Sequence, residues 1–177
     1  MSTTLGIATA EQMTALGERL AATLRAGDLL VLTGPLGAGK TTLTRGLGAG
    51  LGVRGRVQSP TFVLARTHPS LVDGPPLVHV DAYRLSSALE LDDLDIDFAR
   101  SVVVVEWGKG MLEGISDSWL EVDIERPTGG GARNAAGAGA AQEADDPADE
   151  VDEPRTVSIR GVGPRWADTE FAQERDA

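Results

Sequence analysis

Apolar and polar positions change period several times along this chain, and each change marks an element. Met13, Leu16, Leu20 and Leu24 recur at helical spacing, which predicts an amphipathic helix over about residues 9–26. Thr9 stands where an N-cap belongs, Gln12 follows three positions later to complete a capping box, and Gly27 ends the segment. Leu29-Leu30-Val31-Leu32 is a short apolar run that reads as a buried strand. A second helix is expected over 40–51, with Gly52 as its C-cap. Gly46, Gly48 and Gly50 weaken that helix on propensity and allow close packing on the sheet.

Farther on, Val57–Leu64 reads as a loop entering a strand, with Pro60 biasing Ser59 toward extended backbone. Pro75-Pro76 breaks the chain before a strand at Leu77–Asp81, and an acid-rich helix is expected over 86–98. Val102–Val105 is an unbroken β-branched run, the pattern of a central strand buried on both faces. Leu120–Ile124 and Thr156–Arg160 alternate, as half-buried strands do. Between them, residues 128–154 are rich in Gly and Ala and then acidic, which reads as a low-complexity, disordered insertion at a hairpin tip. The expected layout is one domain made of 1–127 and 155–166, with that insertion and a loose tail over 167–177.

Composition narrows the class. The 177 residues suffice for a real core, and no apolar run approaches a membrane span. Cysteine is absent and histidine occurs twice, so neither a disulfide framework nor a thiolate or histidine zinc site is expected. The N-terminus lacks the pattern of a signal peptide, and a cytoplasmic protein is the economical reading. A net charge of −11 argues against gripping nucleic acid directly, although the 128–155 stretch alone carries seven acids against two arginines.

The chemistry is concentrated in Gly34-Pro35-Leu36-Gly37-Ala38-Gly39-Lys40-Thr41, which matches the phosphate-binding P-loop G-x-x-x-x-G-K-S/T. It lies between an expected strand and an expected helix, as its physics requires. The glycines permit positive φ and close backbone approach, so that the N–H groups of Leu36, Gly37, Ala38 and Gly39 can turn toward an anion. The following helix adds its positive end. Lys40 supplies a cation for the β- and γ-phosphates, Thr41 a hydroxyl for Mg²⁺, and Thr42 a contact to the α-phosphate. The chain has two lysines, Lys40 and Lys109, yet one stands here. With these flanks the expected fold is an α/β three-layer P-loop NTPase-like domain, its sheet mostly parallel with antiparallel edge strands.

Asp81 and Glu106 each end an apolar strand, and ligands bind at the carboxyl ends of strands in such sheets. Either can serve as the acid that holds Mg²⁺. Glu106 follows the more strand-like run, and Asp81 would then position the attacking water, join the metal's outer shell or cap a turn. Thr61 is a candidate switch residue or a satisfier of loop backbone. His79 lies two residues behind Asp81 on the same strand face and can orient it, or simply pack. Arg84 can meet phosphates or the acids of 90–97, and Trp107 the nucleotide, a partner or the core. A GTPase switch is disfavoured because the lone Asn is Asn134, inside the insertion, and Lys109 is followed by Gly110 and Met111. A small-molecule kinase and a nucleotide-gated binding module remain as other classes.

Taken in order, the P-loop, Val57-Gln58-Ser59-Pro60-Thr61-Phe62, His79-Val80-Asp81-Ala82-Tyr83-Arg84-Leu85 and Val105-Glu106-Trp107 resemble the TsaE (YjeE) family over residues from about 5 to 125 and the strand near 156–160. Pro35 departs from the acid that many relatives carry there, at a variable loop position. The resemblance implies an ATPase required for N6-threonylcarbamoyladenosine (t6A) modification of tRNA, with ATP and Mg²⁺ bound. It implies Thr41 and Glu106 at the metal and Lys40, Asp81 and Glu106 as catalytic residues. It further implies action on the TsaB–TsaD complex, slow turnover alone, and contact with tRNA only indirectly.

Overall fold

The structure, a computed structural model, describes residues 3–60, 62–126 and 153–172. In chain order its elements are β1 (Thr3–Ile7), α1 (Ala10–Ala21), β2 (Leu29–Thr33), α2 (Lys40–Leu51), β3 (Ala65–His68), β4 (Leu77–Asp81), α3 (Ala88–Asp92), β5 (Val102–Glu106), β6 (Trp119–Glu125) and β7 (Arg155–Val162). The seven strands form one sheet in the order β1-β7-β6-β2-β5-β4-β3. Strands β6, β2, β5 and β4 run parallel in its middle. Antiparallel pairings complete both sides: β1 with β7, β7 with β6, and β3 with β4.

Alternation along each strand separates two cores. Leu30, Leu32, Leu77, Val102, Val104, Leu120 and Val122 face α1 and α2. Leu29, Val31, Val78, Val80, Val103 and Val105 face the opposite way, where Leu91 of α3 and the loop residues Leu94, Ile96 and Phe98 cover them. Strands covered on both faces need no polar side, which is why β2 and β5 read as continuous apolar runs. This is the mixed α/β sheet that the sequence implies, with its second helical layer reduced to one short helix and packed loops.

Several boundaries differ from the pattern-based expectation. Helix α1 stops at Ala21 because Thr23 and Leu24 turn back with bonds to the carbonyls of Leu20 and Ala21, and the Thr23 hydroxyl takes the Leu20 carbonyl too. At its start, Thr9 accepts the Gln12 N–H as expected, but the Gln12 side chain reaches Ala8 rather than Thr9. The helix expected over 86–98 shrinks to α3, and Asp95 beyond it has φ 54°. The strand expected from the 57–64 loop begins instead at Ala65. Residues 167–172, expected in a loose tail, lie on the body: Phe171 is buried edge-to-face on Trp166, and its carbonyl accepts the Gly161 N–H. All but the last two residues of the 128–154 insertion lie outside the described residues, as do residues 173–177.

The glycines of α2 serve helix–helix contact more than helix–sheet contact. A Cβ on Gly46 would stand 2.1 Å from the Thr14 carbonyl oxygen of α1, and one on Gly17 would stand 2.3 Å from the Leu43 carbonyl oxygen. Gly50 meets Ala21, and Gly48 alone turns toward Val57, Val53 and Leu77 on the sheet side. Backbone-to-backbone contact seats α2, and with it the P-loop, against α1. Gly46→Ala is expected to destabilise the fold by about 1–3 kcal/mol despite alanine's better helix propensity, because the obstructing atoms are backbone. Gly6→Ala, where a Cβ meets nothing within 4 Å, serves as the neutral control in urea unfolding.

Candidate functional site

The loop between β2 and α2 is held by its glycines. Gly37 has φ 74°, and Gly39, the N-cap of α2, has φ 103°. Among the described residues no side chain caps this helix, and its first turn holds no acid. The N–H groups of Lys40 and Thr41 at its start can therefore meet an anion. Leu36 projects from the loop, whereas Ala38 is buried, its N–H bonded to the Pro35 carbonyl. Thr41 is half-buried in the first turn and Thr42 is buried behind it.

Lys40 is buried. Its Nζ donates to the carbonyls of Gly34 at 2.9 Å and Pro35 at 3.2 Å, and it stands 4.2 Å from the ring centroid of Trp107. Burial pushes this ammonium below the usual lysine range, while the Glu106 and Asp81 carboxylates pull it the other way. The three groups predicted to carry the chemistry thus share one electrostatic environment.

Sheet register explains their meeting. Asp81 pairs with Glu106 across β4 and β5, and Glu106 pairs with Leu32 on β2, two residues before the loop. Both carboxylates belong to the strand face that Leu77, Val102 and Val104 present to α1 and α2. Both are buried, and each has a local partner. Asp81 Oδ1 accepts the Tyr83 N–H at 3.0 Å, capping the 3-10 turn at 82–84. Glu106 Oε1 lies 2.7 Å from His79 Nε2. The expectation that His79 orients Asp81 is therefore corrected: the ring reaches across to the neighbouring strand.

Trp107 leaves β5 with φ 63°, a rare conformation for a non-glycine residue. It is half-buried, and Tyr83 packs edge-on against it at 5.7 Å. Its ring lies beside the loop, over the Lys40 ammonium. Arg84 is exposed on the 3-10 turn. Thr61 lies outside the described residues.

Sequence reasoning missed the far side of the loop. Arg155, first residue of β7, donates through Nη2 to the Gly37 carbonyl at 3.2 Å. Its Nε is buried with no partner among the described residues. It also lines a cleft of about 280 Å³ with Gly6, Ile7, Ala8, Pro154 and Thr156. No local signal marks these residues, because the cleft forms only when the first and last strands pair.

The residues present suit a nucleotide with a hard divalent cation: an uncapped helix terminus, a buried lysine, a threonine and two carboxylates offer nitrogen donors for phosphate and oxygen ligands for Mg²⁺. Among the described residues no group of three or more His, Cys, Asp or Glu is placed to hold a metal by itself. No helix among them is long and apolar enough to cross a membrane.

Comparison with known proteins points to one family. The family model "Threonylcarbamoyl adenosine biosynthesis protein TsaE" matches residues 7–135. A Streptomyces coelicolor protein named "tRNA threonylcarbamoyladenosine biosynthesis protein TsaE" is 56% identical over 158 residues, covering 88% of this chain and 94% of that protein. A Bacillus subtilis protein of the same name is 38% identical over 120 residues, 66% of this chain and 73% of its own. Among solved structures, the crystal structure of Bacillus subtilis YdiB superposes with a TM-score of 0.64 at 27% identity, covering 93% of this chain and 87% of that one.

His68, at the end of β3 and opposite Leu77 at the far end of β4 from this site, gives a pH prediction. It is buried, its Nε2 has no partner among the described residues, and its pKa is lowered chiefly by burial and then by the charges of His79 and Arg66, with the Arg54 backbone partly offsetting them. A depressed folded pKa means that the unfolded chain binds the proton more tightly. Stability is therefore full above the ordinary histidine pKa of about 6.5 and falls as pH drops below it. Urea midpoints at pH 7.5 and 5.5 should fall more steeply for the unaltered chain than for His68→Gln, which has nothing to protonate.

Proposed function

The chain belongs to the TsaE family, and from that membership and the geometry of its site we propose that it binds and hydrolyses Mg-ATP in the service of tRNA t6A modification. It acts on the TsaB–TsaD complex and does not itself transfer the threonylcarbamoyl group. The observation that carries the ATPase reading is the level placement of Asp81 and Glu106 at the ends of β4 and β5, on the α2 face, with Lys40 electrostatically coupled to both.

In this reading the backbone N–H groups of Leu36, Gly37, Gly39, Lys40 and Thr41, at the start of α2, cradle the phosphates, while the Ala38 N–H stays on the Pro35 carbonyl. Lys40 exchanges the Gly34 and Pro35 carbonyls for the β- and γ-phosphates, which offer the stronger, charge-assisted bonds. Thr42 reaches the α-phosphate. The cleft beside Arg155 receives the base and sugar, because it is built on β1 and β7, on the other side of β2 from the carboxylate strands β5 and β4. Thr41 and Glu106 hold Mg²⁺, which when bound neutralises charge developing on the phosphates. Asp81, already fixed by the Tyr83 N–H, orients the attacking water.

Two features support a partner. P-loop proteins commonly need an outside group to complete transition-state stabilisation, and large apolar side chains stand exposed on the loops bordering the site: Leu36, Phe62 and Tyr83. The net charge of −11 suits indirect rather than direct contact with tRNA.

Lys40→Ala is expected to weaken ATP binding roughly 100-fold, the size of two lost charge-assisted hydrogen bonds; calorimetric titration checks this. Glu106→Ala should leave metal-free ATP binding intact while lowering Mg-dependent turnover roughly 100-fold, measured as phosphate release. Unchanged turnover in both variants would overturn the ATPase reading. Phosphate transfer to an added metabolite, in place of release to water, would favour a small-molecule kinase.

A further inference from the structure

His79 is a buried residue that the proposed chemistry does not use. It has no solvent exposure and sits on the β4 face directed at α1 and α2, two residues behind Asp81 and opposite Val104 of β5. Its neighbours on that face, Leu77, Val102 and Val104, are core residues. An imidazole in such a row is costly unless its nitrogens are bonded. One nitrogen is: Nε2 lies 2.7 Å from Glu106 Oε1. The other, Nδ1, is buried with no partner among the described residues. For filling space alone, an apolar side chain would avoid that orphaned atom. The unsatisfied nitrogen is thus tolerated for the sake of a single contact, and that contact is to Glu106.

The contact also has a direction. An ionised carboxylate only accepts hydrogen bonds, so Nε2 carries the hydrogen and donates it. A glutamate side chain is long and rich in rotamers, and ordering it costs conformational entropy. Asp81 escapes most of that cost by being shorter and by bonding the Tyr83 N–H of its own turn. Glu106 is held instead from the next strand.

We propose that His79 is a positioning residue for Glu106: its Nε2–H engages Oε1 and fixes the carboxylate so that Oε2 is the oxygen presented to the divalent cation. The proposal rests on the reading of Glu106 as the residue that holds the cation. It predicts that the donor, not the volume, of residue 79 matters. Gln and Met are close in shape, but only Gln carries an N–H at its tip. Mn²⁺ affinity of the full-length, ATP-saturated protein, read by electron paramagnetic resonance, should fall about 10- to 100-fold in His79→Met and stay within a few-fold of the unaltered chain in His79→Gln. Metal-free ATP affinity should be the same in all three. On a Glu106→Gln background, His79→Met should have no further effect.

Equal Mn²⁺ affinity in His79→Met and the unaltered chain, with Glu106→Gln weakened, overturns the positioning role alone. Equal Mn²⁺ affinity in Glu106→Gln and the unaltered chain overturns the reading of Glu106 beneath it. A measurement on the unaltered protein covers the case in which His79→Met does not fold. The nuclear magnetic resonance signal of the His79 Nε2–H should move when Mg²⁺ is added to the ATP-saturated protein, and an unmoved signal contradicts the proposal.

Discussion

The site depends on the parallel register of β2, β5 and β4. Because Leu32 pairs with Glu106 and Glu106 with Asp81, three adjacent strands end level with the start of the P-loop. A slip of one residue in β4 or β5 would turn its carboxylate to the opposite face, away from α2. The register is in turn fixed by burial: Leu30, Leu32, Leu77, Val102 and Val104 must enter one core while Val31, Val78, Val103 and Val105 enter the other. Apolar packing through the middle of the sheet thus determines where two acids stand at its edge.

That edge gathers opposite charges out of water. Burial works against the Lys40 ammonium, and the two carboxylates offset part of that penalty. The carbonyls of Gly34 and Pro35 and the face of Trp107 complete the ammonium's surroundings. Trp107 achieves this from left-handed backbone, φ 63°, which places the ring back over the loop immediately after Glu106. Strain of this kind persists where the surroundings over-determine it. Here the Trp107 N–H is bonded to Leu32 and the ring is met by Tyr83.

What the sequence made legible were features encoded locally. The P-loop, with its flanking strand and helix, is contiguous, and the β-branched run of β5 advertises a doubly covered strand. Elements β1 and β3 carry no such signal: Thr3–Ile7 contains two threonines and a glycine, Ala65–His68 is mostly polar, and each lies at an edge of the sheet where, among the described residues, one side goes unpaired. The 86–98 segment has apolar residues that resemble a helical stripe, but Leu94, Ile96 and Phe98 reach the core from turns. In the site, the residue types and strand ends were readable, whereas the pairing of His79 with Glu106 was not. Reach along one strand suggests Asp81; only the diagonal across two strands shows the true partner. Arg155 was hidden for the same reason, since its contact to Gly37 joins residues 118 positions apart.

The central claim is that these level carboxylates and the P-loop form an ATPase site that a partner completes. It is tested most directly by the steady-state rate of phosphate release from Mg-ATP by the purified chain, measured alone and with the TsaB–TsaD complex. The account predicts slow release alone and a clear rise with the complex. A rate that the complex leaves unchanged would contradict it.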